Sequence, residues 1–271
     1  MTSSLDLAEI IANRRWVCRL SPFPHFIAEN VFTSGFYQSL ESEFREILNR
    51  GLAEYNDPDR FSRNMMNSDA YSWNFPSDIN GCLSIFYSLE WHKLLSLLTK
   101  AECTMDVNGA LHHHQLRSKN GSIHRDLGVG WFSNQKRGDG VNPMDISCCT
   151  YTHGPIPGQL TEARETVRAV TMIYYLANHE WTAGDGGETG LYKSEYSPVD
   201  RPLAAVPPIN NSLIIFENTP DSYHSFITNR VYTRNSAILW LHRSLESANK
   251  RWPNERIYRW KNIDDTNRIS L

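Results

Sequence analysis

Two histidines and one aspartate have the residue types and the spacing of a metal site. His124 and Asp126 lie two positions apart in the segment SIHRDLG, and His224 follows 100 positions after His124, in DSYHSF. Residues i and i+2 of an extended strand project to the same side, so the first two side chains can reach one ion. Two imidazoles and one carboxylate hold a non-haem Fe(II) on one face and leave the opposite face open. The set therefore predicts a ferrous oxygenase.

A cationic group follows the last histidine. Arg234 comes ten positions after His224, and Ser236 shares its strand face by the same two-residue rule. A guanidinium matches a carboxylate in two parallel hydrogen bonds, and a neighbouring hydroxyl can add a third. These residues predict an anchor for a dicarboxylate cosubstrate.

The weight of the prediction rests on the order of the whole set. With 10 His and 30 acidic residues in 271 positions, about one His-x-Asp/Glu motif is expected by chance, and the chain contains one. Two other functions stay open. One is a catalytically silent jelly-roll binding module, which would have no need of the Arg234 anchor. The other is a non-redox isomerase or hydrolase with zinc in the same triad, which dependence on dioxygen would distinguish from an oxygenase.

The sequence resembles the Fe(II)- and 2-oxoglutarate-dependent oxygenases and, within them, the prolyl 4-hydroxylase-like branch. The resemblance covers most of residues 21–243. It is carried by the segments SPFPHFIAENVFTSGFYQSLESEF, SIHRDLG, RAVTMIYYLANHEWTAGDGGETGLY, NSLIIFEN and SYHSFITNRVYTRNSAILWL.

The resemblance implies roles for the residues that match the family's motifs. It implies that His124, Asp126 and His224 bind iron. It also implies an activity: hydroxylation of an unactivated C–H bond of an amino-acid-like, peptidyl or natural-product substrate, with release of succinate and CO2. The implied cofactors are Fe(II), 2-oxoglutarate and O2, with ascorbate as a further candidate.

The same resemblance implies a cosubstrate site. Arg234 would pair with the distal carboxylate of 2-oxoglutarate, and Ser236 occupies the helper position two residues later. In related enzymes the second tyrosine of the YYL segment, here Tyr175, donates its hydroxyl to that carboxylate. Relatives often carry another tyrosine on the strand before the metal motif, where this chain has LHHHQLRSKNG. Related halogenases replace the metal-binding aspartate with a small residue, so Asp126 argues against halogenation.

The predicted fold class is α+β, mainly β: a double-stranded β-helix (jelly-roll) core with N-terminal supporting helices. Residues 1–271 are interpreted as a single oxygenase domain. Its predicted parts are mainly helical support in 1–106, the core in 107–245 and a C-terminal tail in 246–271. An insertion, 127–167, is long for a loop and is predicted to be a substrate-selecting lid.

Several elements follow from periodicity. Apolar residues at helical intervals predict amphipathic helices over Ser34–Arg50, with Ser34 as cap, and Ser88–Lys100. VTMIYYL and AILWL are apolar runs of buried-strand length, and GDGG reads as a turn. The polar, turn-rich stretch 56–80 is predicted to fold over the mouth of a pocket. The tail is predicted to pack across the domain.

Three consecutive histidines, His112, His113 and His114, raise the question of a second metal site. Neighbours on a strand alternate faces, so only His112 and His114 could cooperate. Exposed or hydrogen-bonded histidines are the favoured interpretation.

Composition excludes several partners. A net charge of −3 gives no electrostatic basis for nucleic-acid binding, and no run approaches the roughly twenty apolar residues of a membrane span. Five cysteines without CxxC spacing indicate neither a disulfide framework nor a zinc site. We expect a cytoplasmic enzyme acting on a small-molecule, amino-acid or peptide substrate; the oligomeric state stays open.

Overall fold

The computed structural model of the chain describes residues 6–63, 69–134, 140–147, 149–158, 162–253 and 256–259. The helices are α1 (Leu7–Ile10), α2 (Ser34–Asn49), α3 (Leu89–Thr99) and α4 (Leu245–Arg251), with a 3-10 helix at Cys82–Tyr87. The strands are β1 (Val17–Arg19), β2 (His25–Ala28), β3 (Leu52–Ala53), β4 (Phe61–Ser62), β5 (Ala70–Asn74), β6 (Asp106–His114), β7 (Val129–Ser133), β8 (Asn142–Pro143), β9 (Cys149–Thr150), β10 (Gly154–Pro155), β11 (Ala163–Tyr175), β12 (Thr189–Tyr192), β13 (Ala204–Val206), β14 (Ser212–Glu217), β15 (Tyr223–Phe226) and β16 (Arg234–Ser244).

Two sheets position the functional residues, and their strands are antiparallel apart from the parallel pairs β3–β4 and β6–β8. In the main sheet the order is β1-β2-β14-β11-β16-β6-β5-β4-β3, and β7 and β8 pair with β11 and β6. The smaller sheet has the order β13-β12-β15. The register of β11 and β16 places Thr171 opposite Trp240 and Tyr175 opposite Ser236. Because side chains alternate along a strand, these four residues share one face of the main sheet.

That face turns toward the smaller sheet, and the other turns toward the helices. Ile173, Tyr175, Ile214 and Phe216 of the main sheet pack with Leu191 of the smaller sheet. The alternate residues, such as Tyr174, Met172 and Leu239, enter the larger cluster that also contains Phe44 of α2 and Trp91 of α3. Burial on both faces explains why VTMIYYL and AILWL are continuously apolar.

The two predicted helices are present, and one cap differs. α3 begins after Ser88, whose hydroxyl accepts a hydrogen bond from the Trp91 amide, and ends at Lys100 in the left-handed conformation. α2 begins at Ser34 itself, because Thr33 is the N-cap, and Thr33 makes no side-chain capping bond. The prediction of Ser34 as cap was therefore wrong.

The prediction that 56–80 covers a pocket mouth was also wrong for its described residues. β5 lies within this stretch and pairs with β6, so it extends the main sheet. Tyr71, Trp73 and Phe75 are buried in the core on the helical side. Residues 64–68 lie outside the described residues. The segment 1–106 also contributes five strands besides its helices.

The insertion 127–167 is built on strands where it is described. β7 pairs with the first part of β11, and β9 and β10 form a two-stranded ribbon. Its ends therefore extend the sheet, in contrast to the predicted loop. Residues 135–139, 148 and 159–161 lie outside the described residues.

The described part of the tail packs on the domain, as predicted. Ala248 and Ile257 are buried with Leu127, Val129 and Val167. The GDGG turn is also confirmed: Gly184, Gly186 and Gly187 all have positive φ, and a Cβ on Gly186 would lie 2.0 Å from the Thr228 carbonyl oxygen. No helix in the described segments has the length and apolarity to span a membrane.

Candidate metal centre and anion pocket

The fold brings the predicted triad together. His124, Asp126 and His224 each offer one ligand atom, and these atoms lie within 4.8 Å of one another. The Nε2 atoms of His124 and His224 are each 3.7 Å from an oxygen of Asp126. Asp126 and His224 are buried, whereas half of the His124 side chain is exposed. The site is therefore approached from the His124 side.

Backbone pairing fixes the two histidines relative to each other. The amide of each donates to the carbonyl of the other, at 3.0 and 2.8 Å. Each Nδ1 also contacts the carbonyl oxygen two residues earlier, Ser122 at 2.9 Å and Ser222 at 3.1 Å. A carbonyl only accepts, so both rings carry their proton on Nδ1 and present a lone pair at Nε2. Burial, followed by the neighbouring His124, lowers the pKa of His224 to about 4, which keeps this ring in the neutral form that binds metal.

Three donors orient the carboxylate of Asp126. Thr171 Oγ1 and Trp240 Nε1 donate to Oδ2 at 2.8 and 2.7 Å, and Arg168 Nη1 donates to Oδ1 at 3.3 Å. Burial alone would raise the pKa of Asp126. The interactions with His224, Arg168 and His124 outweigh burial and hold its pKa well below the usual range. Asp126 is thus an anion with a fixed orientation.

The hydrogen bond from Trp240 predicts a loss of metal affinity in Trp240→Phe. The phenyl ring keeps an aromatic surface for the Arg168 guanidinium, which lies 4.1 Å from the Trp240 ring, but removes the N–H that orients Asp126. Loss of a group that supports a metal ligand lowers metal affinity by about 10- to 100-fold. Competition with a chelator measures the affinity for Fe(II).

Trp73→Phe is the matched control for this prediction. The Trp73 indole also donates one hydrogen bond, to the Pro58 carbonyl at 2.9 Å, and its ring belongs to the core on the helical side. Equal losses of metal affinity in the two variants would contradict a specific role for Trp240.

The predicted anchor residues also meet in one place. Arg234 donates from Nη1 to Ser236 Oγ at 2.7 Å and from Nη2 to Thr189 Oγ1 at 3.3 Å. The hydroxyls of Tyr175 and Thr189 are 2.6 Å apart, and the guanidinium lies 5.1 Å from the Tyr175 ring centroid. Arg234 is 3% exposed. One cation and three hydroxyls therefore surround one buried position.

The charge of Arg234 has no acidic partner among the described residues. Arg243 and Arg251, by contrast, both bind Glu217. The Nε of Arg234 also lacks any hydrogen-bond acceptor, and burial lowers the pKa of its guanidinium. Buried charges are costly unless they are paired, so this arrangement indicates a site for an anionic ligand.

Arg168 connects the triad to the insertion. Its Nε donates to the Tyr151 hydroxyl at 2.8 Å, and that hydroxyl lies 3.2 Å from His242 Nε2. His242 Nδ1 in turn lies 2.9 Å from Thr166 Oγ1. The insertion therefore supplies Tyr151 to the surroundings of Asp126, although it does not form a simple loop over it.

Some residues of the site were missed from the sequence. Thr171 and Trp240 bind Asp126, and Thr189 binds Arg234. Trp240 lies six positions after Arg234 on the same strand, and an even spacing places both side chains on one face of the sheet. This spacing could have predicted that Trp240 faces the site. The prediction for the three histidines was partly wrong: all are buried, and among the described residues only the ring of His113 has a hydrogen-bond partner, Asn235 Oδ1 at 2.7 Å from Nδ1.

Comparisons with known proteins bear on the family and the fold. Residues 149–242 match the model of the 2OG-Fe(II) oxygenase superfamily. The chain is similar to the crystal structure of a Pseudomonas putida prolyl-4-hydroxylase (13% identity, TM-score 0.52), with 88% of this chain and 99% of that chain covered. It is also similar to a prolyl hydroxylase from Trichoplax adhaerens in complex with a hypoxia inducible factor oxygen degradation domain peptide fragment (16% identity, TM-score 0.51, covering 82% and 85%). No curated protein matches the sequence. The structural likeness confirms the predicted double-stranded β-helix.

Proposed function

We propose that the chain is a 2-oxoglutarate-dependent dioxygenase of the 2OG-Fe(II) oxygenase superfamily, whose model matches residues 149–242, and that His124, Asp126 and His224 are its Fe(II) ligands. Arg234, Ser236 and Tyr175 bind the distal carboxylate of 2-oxoglutarate. The observation that carries this proposal is the buried Arg234 guanidinium, which has no carboxylate partner among the described residues and lies between the same two sheets as the metal-ligating triad.

The residues fit the cofactor and the cosubstrate. The donor set of two imidazoles and one carboxylate suits non-haem Fe(II). On β15, Phe226 packs 5.7 Å from the Arg234 guanidinium and His224 lies two residues earlier, about 7 Å along an extended strand. A short dicarboxylate can cover such a separation. Bound Fe(II) supplies the reduction of dioxygen and the oxidative decarboxylation of 2-oxoglutarate.

Other side chains of the protein orient the metal ligands and the cosubstrate. Tautomers fixed by the Ser122 and Ser222 carbonyls hold both imidazoles ready as neutral ligands. Thr171, Trp240 and Arg168 prevent Asp126 from rotating or gaining a proton. Arg234 fixes the cosubstrate at its far end, so that its keto-acid end points toward the triad.

For the substrate, we infer an amino-acid-like, peptidyl or natural-product molecule with a carbonyl or carboxylate near the carbon that is hydroxylated. Arg168 supports this inference. It lies beside Asp126, its side chain is 14% exposed, and its Nη2 has no partner among the described residues. A donor in this position can orient a substrate oxygen. Tyr151 holds Arg168 from the insertion, which agrees with a role of 127–167 in substrate selection.

The test is 2-oxoglutarate turnover by the purified protein with Fe(II). We expect succinate to form in step with dioxygen consumption, and no succinate to form under nitrogen or with Zn(II) in place of Fe(II). Free amino acids and short peptides are then added in turn, and the true substrate class accelerates succinate release and gains one oxygen atom by mass. Turnover of a substrate without dioxygen would contradict the proposed oxygenase activity and would support a metal enzyme without redox chemistry.

A further inference from the structure

Two of the three consecutive histidines face the interior between the sheets. On β6, His112 is opposite Ser236 and His114 is opposite Arg234 in the pairing with β16. His114 stacks on Phe226 with ring centroids 3.8 Å apart. His112 lies 6.5 Å from the ring of Trp240, whose indole binds Asp126. The pair therefore follows the path from the anchor to the triad.

These two imidazoles have no protein partner. Among the described residues neither ring makes a hydrogen bond, and Nδ1 of His114 is fully buried without a partner. Both side chains are only 5% exposed. Buried polar atoms are nearly always hydrogen-bonded, so the unpartnered Nδ1 of His114, on the same strand face as the unpartnered ring of His112 and as Arg234, indicates a ligand. His113, which faces the other side, has Asn235 as its partner.

The protonation state restricts what the ligand can be. Burial, followed by the charge of Arg234, lowers the pKa of His112 to about 3 and that of His114 well below its ordinary value. Both rings are therefore neutral, and each offers one N–H donor. A second metal ion is not supported, because among the described residues the triad is the one group of at least three potential ligands with converging atoms.

We propose that His112 and His114 donate hydrogen bonds to 2-oxoglutarate, His114 near the carboxylate held by Arg234 and His112 nearer the end that faces Asp126. The inference rests on the proposed function and extends it with two positioning residues. Neutral donors add hydrogen bonds without placing a second positive charge beside Arg234. The same unpaired N–H groups would oppose the binding of an apolar molecule at this position.

His112→Phe and His114→Phe test the proposal. Phenylalanine keeps a planar ring against Trp240 or Phe226 and removes the donor. Because a hydrogen bond to a charged group contributes about 1.5–3 kcal/mol, each variant is expected to bind 2-oxoglutarate at least about 10-fold more weakly. Calorimetric titration of the Fe(II) protein under nitrogen measures the affinity without turnover. His113→Phe is the matched control and should bind 2-oxoglutarate as the unmodified protein does.

A second measurement decides the question even where a variant fails to fold. In the unmodified protein, imidazole ¹⁵N signals of His112 and His114 should shift when 2-oxoglutarate is added, and those of His113 should not. Unchanged signals, or Phe variants with unchanged affinity, would overturn the role of these histidines while 2-oxoglutarate still bound through Arg234. If the unmodified protein bound no 2-oxoglutarate at all, the proposed function itself would fail.

Discussion

Asp126→Ala is expected to abolish 2-oxoglutarate turnover. The change removes the charged ligand of the triad and leaves three donors, from Thr171, Trp240 and Arg168, without their acceptor. Removing one partner of a buried ion pair lowers the free energy of unfolding by about 3–5 kcal/mol. We expect a loss of about 3 kcal/mol here, because Arg168 keeps its hydrogen bond to Tyr151. Succinate formation should fall below detection, and Fe(II) affinity should fall with it.

Two further variants separate loss of the ligand from loss of the fold. Asp126→Asn has the same shape and keeps an oxygen for Trp240, so it should remain folded while losing Fe(II) affinity. Asp221→Ala removes an exposed carboxylate three residues before His224 and should retain full activity. Full turnover in folded Asp126→Ala would remove Asp126 from the metal site. Thermal melting of each metal-free variant is the check on folding.

Strand parity and residue order were sufficient to predict that His124, Asp126 and His224 converge and that Arg234 meets Ser236, while their roles as metal ligands and anchor stay predictions. His124 and Asp126 converge because they lie two residues apart in extended backbone, and the same rule joins Arg234 to Ser236. What the sequence could not provide was the depth of each residue in the sheet. Trp240 shares the face of Arg234, yet only the pairing of β11 with β16 shows that Trp240 meets Thr171 beside Asp126.

The errors arose where local composition was read without tertiary pairing. The stretch 56–80 is polar and turn-rich, but Tyr71, Trp73 and Phe75 alternate with period two, the spacing of a strand with one buried face. β6 supplies the neighbouring strand that such a segment needs. In the histidine triplet, alternation correctly separated His113 from the other two. Burial could not be predicted, because imidazole is common both at surfaces and in cores.

Arg234→Ala is expected to weaken 2-oxoglutarate binding by at least about 100-fold, because two charge-assisted hydrogen bonds of about 1.5–3 kcal/mol each are lost. The fold should tolerate the change. No described carboxylate pairs with Arg234, so its removal leaves no uncompensated acid in the interior. The free energy of unfolding of the cosubstrate-free protein should stay the same or rise, since a buried unpaired charge is removed. Calorimetric titration and chemical denaturation measure the two quantities.

Arg243→Ala is the matched control, because Arg243 is another buried arginine on β16. It differs in having a carboxylate partner, Glu217, at 2.6 Å. Its removal should lower the free energy of unfolding by about 3 kcal/mol, the lower end of the cost of breaking a buried pair because Glu217 keeps Arg251 as a partner, and leave the affinity for 2-oxoglutarate unchanged. The two variants are thus expected to differ in opposite ways: Arg234→Ala loses affinity for 2-oxoglutarate, and Arg243→Ala loses stability. An arginine whose partner is part of the protein stabilises the fold, and one whose partner is a ligand contributes to binding. Unchanged 2-oxoglutarate affinity in Arg234→Ala would assign that buried charge to the fold and reject the anchor.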